Sequence, residues 1–562
     1  MKHWIALVHH LLIVPALFAK PATQPTTAPP GLPEGRTWGG GSFQPKGANV
    51  LFATGDGCAL CHSTSKNATA LWSQTGEDVS PHGLWKATMM ANAARDPYFR
   101  AQLAHESAKN PKIAGELEAL CMRCHTPMAH HTHRIAGQKP LSIGEATSHP
   151  LYSDGVSCTV CHQIQPDGLG TEATWDGQPL IIPGRTIFGP FADPGGTPMI
   201  MHSAFTPKQG SHIQSSAMCA SCHTLRTEHT MGGKFTEQSP YLEWRNSVFS
   251  DEAPPNGQGR TGQSRTCQEC HMPDVGPMRI ARNPGGFEFN IQTRDPVRGH
   301  AFIGGNALML DIFKDNAQEL GITAPIEALE RIARATRTQL GHRTATIAVE
   351  NARREKQPDG STMLTFDVVV TNLTGHKFPT GYPARRAWVA TLVRSGRTAI
   401  FTSGNPDDSG KIEKLDSEVG LPHVNVVTQE SQVPIYEMVA ADANGKPTLF
   451  LSEMATRLKD NRLLPAGYKL DGPHADVTSP VGTQGDENFS AGSDRITYRV
   501  PIPADVTGRI SVIARLYYQT IPPAWAGSLR GSDVPESVKF LRMYDAAKSK
   551  VEQIAVTVGS AE

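Results

Sequence analysis

Ten cysteines and five histidines of this chain fall into five copies of one short unit: CALCH at 58–62, CMRCH at 121–125, CTVCH at 158–162, CASCH at 219–223 and CQECH at 267–271. The chain has 10 cysteines in all, so none is left for a disulfide framework or a lone catalytic thiol. Structural zinc takes four ligands and uses Cys pairs two at a time, and five pairs is an odd count for it. A redox dithiol places no demand on the residue after its second cysteine. Here that residue is histidine every time, although only 22 of 562 residues are histidine. Independent placement would produce this with a probability of ~10⁻⁷. Covalent attachment of c-type haem accounts for all the unit positions with one mechanism.

The spacing suits that chemistry. Positions i, i+3 and i+4 share one face of a helical turn, so two thiols and an imidazole address one porphyrin together. Cys58, Cys61, Cys121, Cys124, Cys158, Cys161, Cys219, Cys222, Cys267 and Cys270 are the candidate thioether anchors. His62, His125, His162, His223 and His271 are the candidate proximal ligands of five iron centres. For the opposite side of each iron the candidates are His82, His105, His202, His212, His300 and His376. Met89, or its neighbour Met90, is a thioether alternative that would raise the potential of its haem. The run HHTH at 130–133 is another ligand source or a solvated loop. Histidines outnumber the positions to be filled, so counting does not decide whether any iron is left open. Haem packed this densely replaces the usual aliphatic core, and the chain without haem is expected to be largely unfolded.

The elements that must hold these units are short. Around 82–106 the apolar residues Leu84, Trp85, Met89, Ala93 and Phe99 recur roughly at helical spacing. A more regular helix is predicted at about 324–339, with Ile326, Leu329, Ile332 and Ala333 on one face. The pattern then changes to period two: MLTFDVVVT at 363–371 puts Leu364, Phe366, Val368 and Val370 on one side, and RAWVATLVRS, DRITYRVPI and RISVIARLYY read alike. The predicted fold class is therefore multidomain: a loop-rich, mainly α multihaem domain at 46–340, followed by an all-β, Ig-like sandwich at 341–562 with one helix near 536–550. Ahead of these, MKHWIALVHHLLIVPALFA reads as an export signal over 1–19, and the Pro- and Thr-rich stretch 20–45 as a linker. The signal's apolar run is too short to span a membrane and no later stretch reaches that length, so the mature chain is expected to be soluble, periplasmic or otherwise exported. Lys plus Arg and Asp plus Glu both number 53, a balance that gives no field for nucleic acid.

The chain resembles the bacterial multihaem, here pentahaem, c-type cytochromes, a group that includes the tetrahaem electron carriers of nitrifying bacteria and, more distantly, hydroxylamine oxidoreductase. The segments that carry the resemblance are WKATMMANAARDPYF, DGVSCTVCHQI, HIQSSAMCASCHTL, TCQECHMP, HAFIGGN and NLTGHKFPTGYPARRAW. It implies His212 and His300 as distal ligands, with His376 reaching back from the β-rich part. The lysine that replaces a proximal histidine in multihaem nitrite reductases is absent, since all five units end in His. The expected function is electron transfer between redox partner proteins, other cytochromes or a quinol-linked donor. A rival expectation is an oxidoreductase acting on a small nitrogen or sulfur compound at one open haem. Arg95, Arg134, His131, Lys377 and Arg385 are its candidate polar groups, each of them equally a propionate partner or a solvated charge. A third makes the β-rich part a docking module of a larger complex.

Overall fold

Capping residues and prolines set the helices of the haem-binding half. Asp96 accepts hydrogen bonds from the N–H groups of Tyr98 and Phe99 at 2.8 and 3.2 Å, and Pro97 opens helix α1 (Pro97–Lys109), where its missing N–H costs nothing. The apolar spacing upstream does not extend that helix. The chain forms only Pro81–Trp85 and a 3-10 turn at Ala93–Arg95, because the proline ring excludes a preceding helical turn. Helix α2 (Ala114–His125) ends in the second CxxCH unit. The other four units lie on or at the ends of helical turns at Gly55–His62, Cys158–Cys161, Ser216–Ala220 and Cys267–His271.

The computed structural model describes residues 49, 51–229, 232–252, 261–415 and 417–561. The export signal and linker read from the sequence lie outside them. Among the described residues no helix is long and apolar enough to cross a membrane.

Helix α3 (Ile326–Arg343) buries Leu329, Ile332, Ala333, Thr336 and Leu340, and strands take over at Ala345. Besides a separate pair, Met438–Ala441 with Thr456–Asp460, these are β1 (Ala345–Lys356), β2 (Thr362–Asn372), β3 (Arg386–Ser395), β4 (Thr398–Ser403), β5 (Val426–Val427), β6 (Ile435–Tyr436), β7 (Ser493–Ile502), β8 (Ile510–Gln519) and β9 (Glu552–Ala561). One sheet runs β1-β2-β7-β5, the other β6-β3-β8-β9 with β4 beside β3. Leu364, Phe366, Val368 and Val370 of β2 are fully buried against Val389 and Val393 of β3 and Val512, Ala514 and Leu516 of β8. The two sheets thus face each other across one apolar core.

The helical and β-rich parts are not separate bodies. A second core joins Leu308, Met309 and Phe313 with Leu329 and Ile332 of α3 and with Phe540, Met543 and Tyr544 of helix α4 (Pro535–Ala546). Residues 45–562 accordingly form one unit.

Candidate haem sites

A continuous cavity of about 1360 Å³ is walled by the haem-binding half and by loops of the β-rich part such as 373–382, and every cysteine and histidine of the five CxxCH units lines it. Four of the five unit histidines are oriented by the same device. The Nδ1–H donates to a backbone carbonyl: His62 to Ile280 at 2.9 Å, His125 to Ala93 at 3.1 Å, His162 to Phe188 at 2.6 Å and His271 to Ile303 at 2.5 Å. Two of these loops bond back, with the Phe188 and Ile303 N–H groups donating to the carbonyls of His162 and His271. A carbonyl only accepts, so each Nδ1 carries the proton and each Nε2 presents a lone pair to the cavity, the tautomer that a metal requires. Burial lowers the pKa of His125 and His223 to about 4, which keeps both rings neutral.

Two further histidines face unit histidines across the cavity. His300 stands opposite His162 with ring centroids 6.2 Å apart and planes 17° from parallel; His376 stands opposite His271 at 6.3 Å and 10°. Two imidazoles on opposite sides of one metal, with bonds of about 2.0 Å and ring centres about 1.1 Å behind each nitrogen, have centroids about 6.2 Å apart. His300 and His376 likewise donate from Nδ1 to backbone carbonyls, those of Arg298 at 3.1 Å and Lys377 at 2.9 Å. The donor set and its spacing fit an axially ligated haem at both places.

The remaining expected ligands are placed differently. His82, Met89 and His202 line the cavity, with His82 Nε2 lying 3.3 Å from Asp56 Oδ1. The Nε2–H of His212 donates to the Ile164 carbonyl at 2.9 Å and its ring packs edge-on to Phe188, the reverse of the orientation at His300 and His376, so its lone pair lies on Nδ1. His105 packs over Phe450 and meets Ser532 Oγ at 3.3 Å. His131 is fully buried and accepts from Arg134 at Nδ1, 3.3 Å away. Arg95 donates to Ser153 at 3.4 Å, and Arg385 to the Thr380 carbonyl at 2.7 Å.

Lys377 is fully buried and pairs with Asp460 at 2.7 Å. It belongs to a buried network in which Arg462 joins Asp460 at 2.7 Å and Glu243 at 3.0 Å. Glu243 in turn accepts from the Lys377 N–H at 3.1 Å and from Thr380 Oγ1 at 2.6 Å. The ligand loop at 376 is thereby fastened to helix Pro240–Arg245 of the haem-binding half.

The thiols that would become thioethers also give the order of the units in space. The side chains of Cys58 and Cys158 are neighbours, as are those of Cys219 and Cys267, of Cys124 and Cys222, and of Cys161 and Cys222. Counted along the chain, units one, three, four and five therefore form a row, and unit two branches from unit four. Sequence spacing held no trace of this order, nor of the carbonyls that orient the rings, since every residue carries a carbonyl.

A second cluster of metal-ligating groups, His423, Asp486 and Asp494, lies in the β-rich part. Asn461 donates to His423 Nδ1 at 2.9 Å, and its own amide oxygen is held by the Glu437 N–H. The proton of His423 therefore sits on Nε2, pointed at Asp486 2.8 Å away, which makes this a hydrogen-bonded chain instead of a ligand set.

No family model matches the chain, and no curated protein matches it. Among solved structures, a penta-haem cytochrome c552 from Thermochromatium tepidum is similar to it at 14% sequence identity and a TM-score of 0.49, over 91% of this chain and 99% of that one.

Proposed function

We propose that this chain is an exported multihaem c-type cytochrome that carries five covalently attached haems and passes electrons between redox partner proteins. The observation that carries this reading is the pair of histidine couples, His162 with His300 and His271 with His376, set at metal-bridging separation in a cavity lined by all five CxxCH units. Each bound haem supplies a one-electron iron couple whose potential depends on axial ligands, burial and nearby charge.

The chain's own residues do the rest. The cysteine pairs would anchor each group, and the Nδ1–H bonds fix four of the five proximal rings, those of His62, His125, His162 and His271, and raise their basicity. The row of units, with cysteines of successive units as neighbours, supports passage from one group to the next without a separate carrier. Other cytochromes or a quinol-linked donor would serve as partners. In a spectroelectrochemical titration of the holoprotein, the haem α-band should change over five one-electron steps, and a mixed partner cytochrome should exchange electrons with it. A haem complement that is not reduced by any protein or quinol donor would refute the electron-transfer role.

A further inference from the structure

Unit five ends the row that runs from unit one through units three and four. Its Cys270 is exposed, whereas the other nine cysteines are half-buried. Three loops meet around it. The Arg265 N–H donates to the Phe249 carbonyl at 2.8 Å, a Cβ added to Gly375 would lie 3.3 Å from Phe249 Cβ, and the Leu373 N–H donates to the Thr344 carbonyl at 3.0 Å. Arg265, Cys270, Arg343 and Leu373 all line the cavity and all are exposed, Leu373 by 41%. The cavity therefore reaches solvent beside unit five.

The charge on this rim is unbalanced. Arg265 donates to the carbonyls of Gly262 and Ser264 at 3.2 and 2.7 Å, and among the described residues neither it nor Arg343 pairs with an acid. The neighbouring carboxylate, Glu269, accepts from the Thr266 N–H at 2.8 Å and pairs with Arg298 at 3.9 Å. Both rim arginines lie close enough for their field to reach the Cys270 sulfur. The other end of the row is built differently. Beside unit one, Lys86 pairs with Asp56 at 3.0 Å and Arg279 with Glu288 at 2.6 Å, while Arg282 donates to the Ser63 and Ala59 carbonyls at 2.8 and 3.3 Å. The formal net charge of the chain is zero, so the two guanidiniums are a local feature and not a share of a general basic field. A guanidinium is shaped to meet a carboxylate, and complementary charge sets which partner approaches and how fast.

On the reading that the units carry haem and exchange electrons with partner proteins, we propose that the surface around Cys270, formed by Arg265, Arg343 and Leu373, is the docking site of an acidic one-electron carrier protein. Carboxylates of that partner meet the two guanidiniums, and Leu373 gives the contact an apolar centre. One electron moves between the iron of unit five and the partner's redox centre. One is oxidised as the other is reduced, and no bond or proton changes hands.

The test uses the holoprotein, with haem counted first. Reduced protein is mixed with hexacyanoferrate(III), an anionic oxidant, and with hexaammineruthenium(III), a cationic one. Oxidised protein is titrated calorimetrically with poly-L-glutamate as an acidic polypeptide probe. The chains compared are the natural one, Arg265→Glu, Arg343→Glu and, at the unit-one end, Arg279→Glu. Reversing one charge about 10 Å from a trivalent anion, screened over about one Debye length, changes the encounter rate roughly fivefold. Expected are oxidation by the anion slowed by about that factor in both unit-five variants, faster oxidation by the cation, weaker polyglutamate binding, and no change in Arg279→Glu. Equal rates in all four chains would overturn the proposal, as would the same slowing in Arg279→Glu. Slowing that comes with a lowered haem potential and unchanged polyglutamate binding would overturn it too, by making the arginines partners of the haem carboxylates. A protein that neither reagent oxidises would strike the electron-transfer reading itself.

Discussion

Replacing Glu243 by Gln should loosen the grip of the β-rich part on the haem array. Glu243 is fully buried and holds four groups: Arg462 at 3.0 Å, the Lys377 N–H at 3.1 Å, Thr380 Oγ1 at 2.6 Å and Ser239 Oγ at 3.3 Å. Glutamine keeps the shape but removes the charge, and it turns an NH₂ group toward a ring of donors. Cutting one partner from a buried ion pair costs ~3–5 kcal/mol. Arg462 retains Asp460 at 2.7 Å, which places the cost at the lower end, about 3 kcal/mol. Spent on the 372–380 loop, that amounts to roughly a hundredfold change in how often His376 leaves its place opposite His271. Thermal unfolding followed at the haem Soret band should shift down by several degrees, and electron paramagnetic resonance should show a new high-spin fraction confined to one haem. An unchanged midpoint together with an unchanged spin state would refute the idea that this network positions His376.

Three other outcomes follow from the same geometry. His300→Ala and His376→Ala should each convert one haem from low to high spin, read by electron paramagnetic resonance, and the double variant should convert two. Glu237 keeps its proton to about pH 7 when folded, against 4.5 for a free glutamate, so stability falls as pH rises between those values by about 3 kcal/mol in total; Glu237→Gln should flatten that slope in unfolding midpoints measured from pH 4 to 8. Gly177 has φ +69° and an added Cβ would lie 2.5 Å from Arg123 Cβ and 2.9 Å from Cys124 Sγ, so Gly177→Ala should lower haem loading at unit two, seen as chains one haem short by mass spectrometry.

What could be read from residues alone depended on how strongly the chemistry constrains them. Thioether attachment demands particular residue types at fixed spacing, so the five units stand out from any background. Alternation in β2 was equally legible, because Leu364, Phe366, Val368 and Val370 face a dry core while Thr365 and Asp367 do not. His212 looked as promising as His300, since both lie in similar segments. Only tertiary structure shows that one ring is turned onto the Ile164 carbonyl and the other onto His162. The stripe Tyr98, Gln102 and Glu106 would pass in sequence for the solvated face of a helix, and its burial depends on partners more than a hundred residues away. The joint core of α3 and α4 was hidden for the same reason, because it unites side chains from both ends of the chain.

The most direct test of the central claim is the intact mass of the mature chain purified from a host able to attach haem c, measured under denaturing conditions. A mass raised by five haem groups, with the pyridine haemochrome spectrum of double thioether attachment, is the expected result. A mass without haem increments, or with zinc at the cysteine pairs of the native protein, would contradict it.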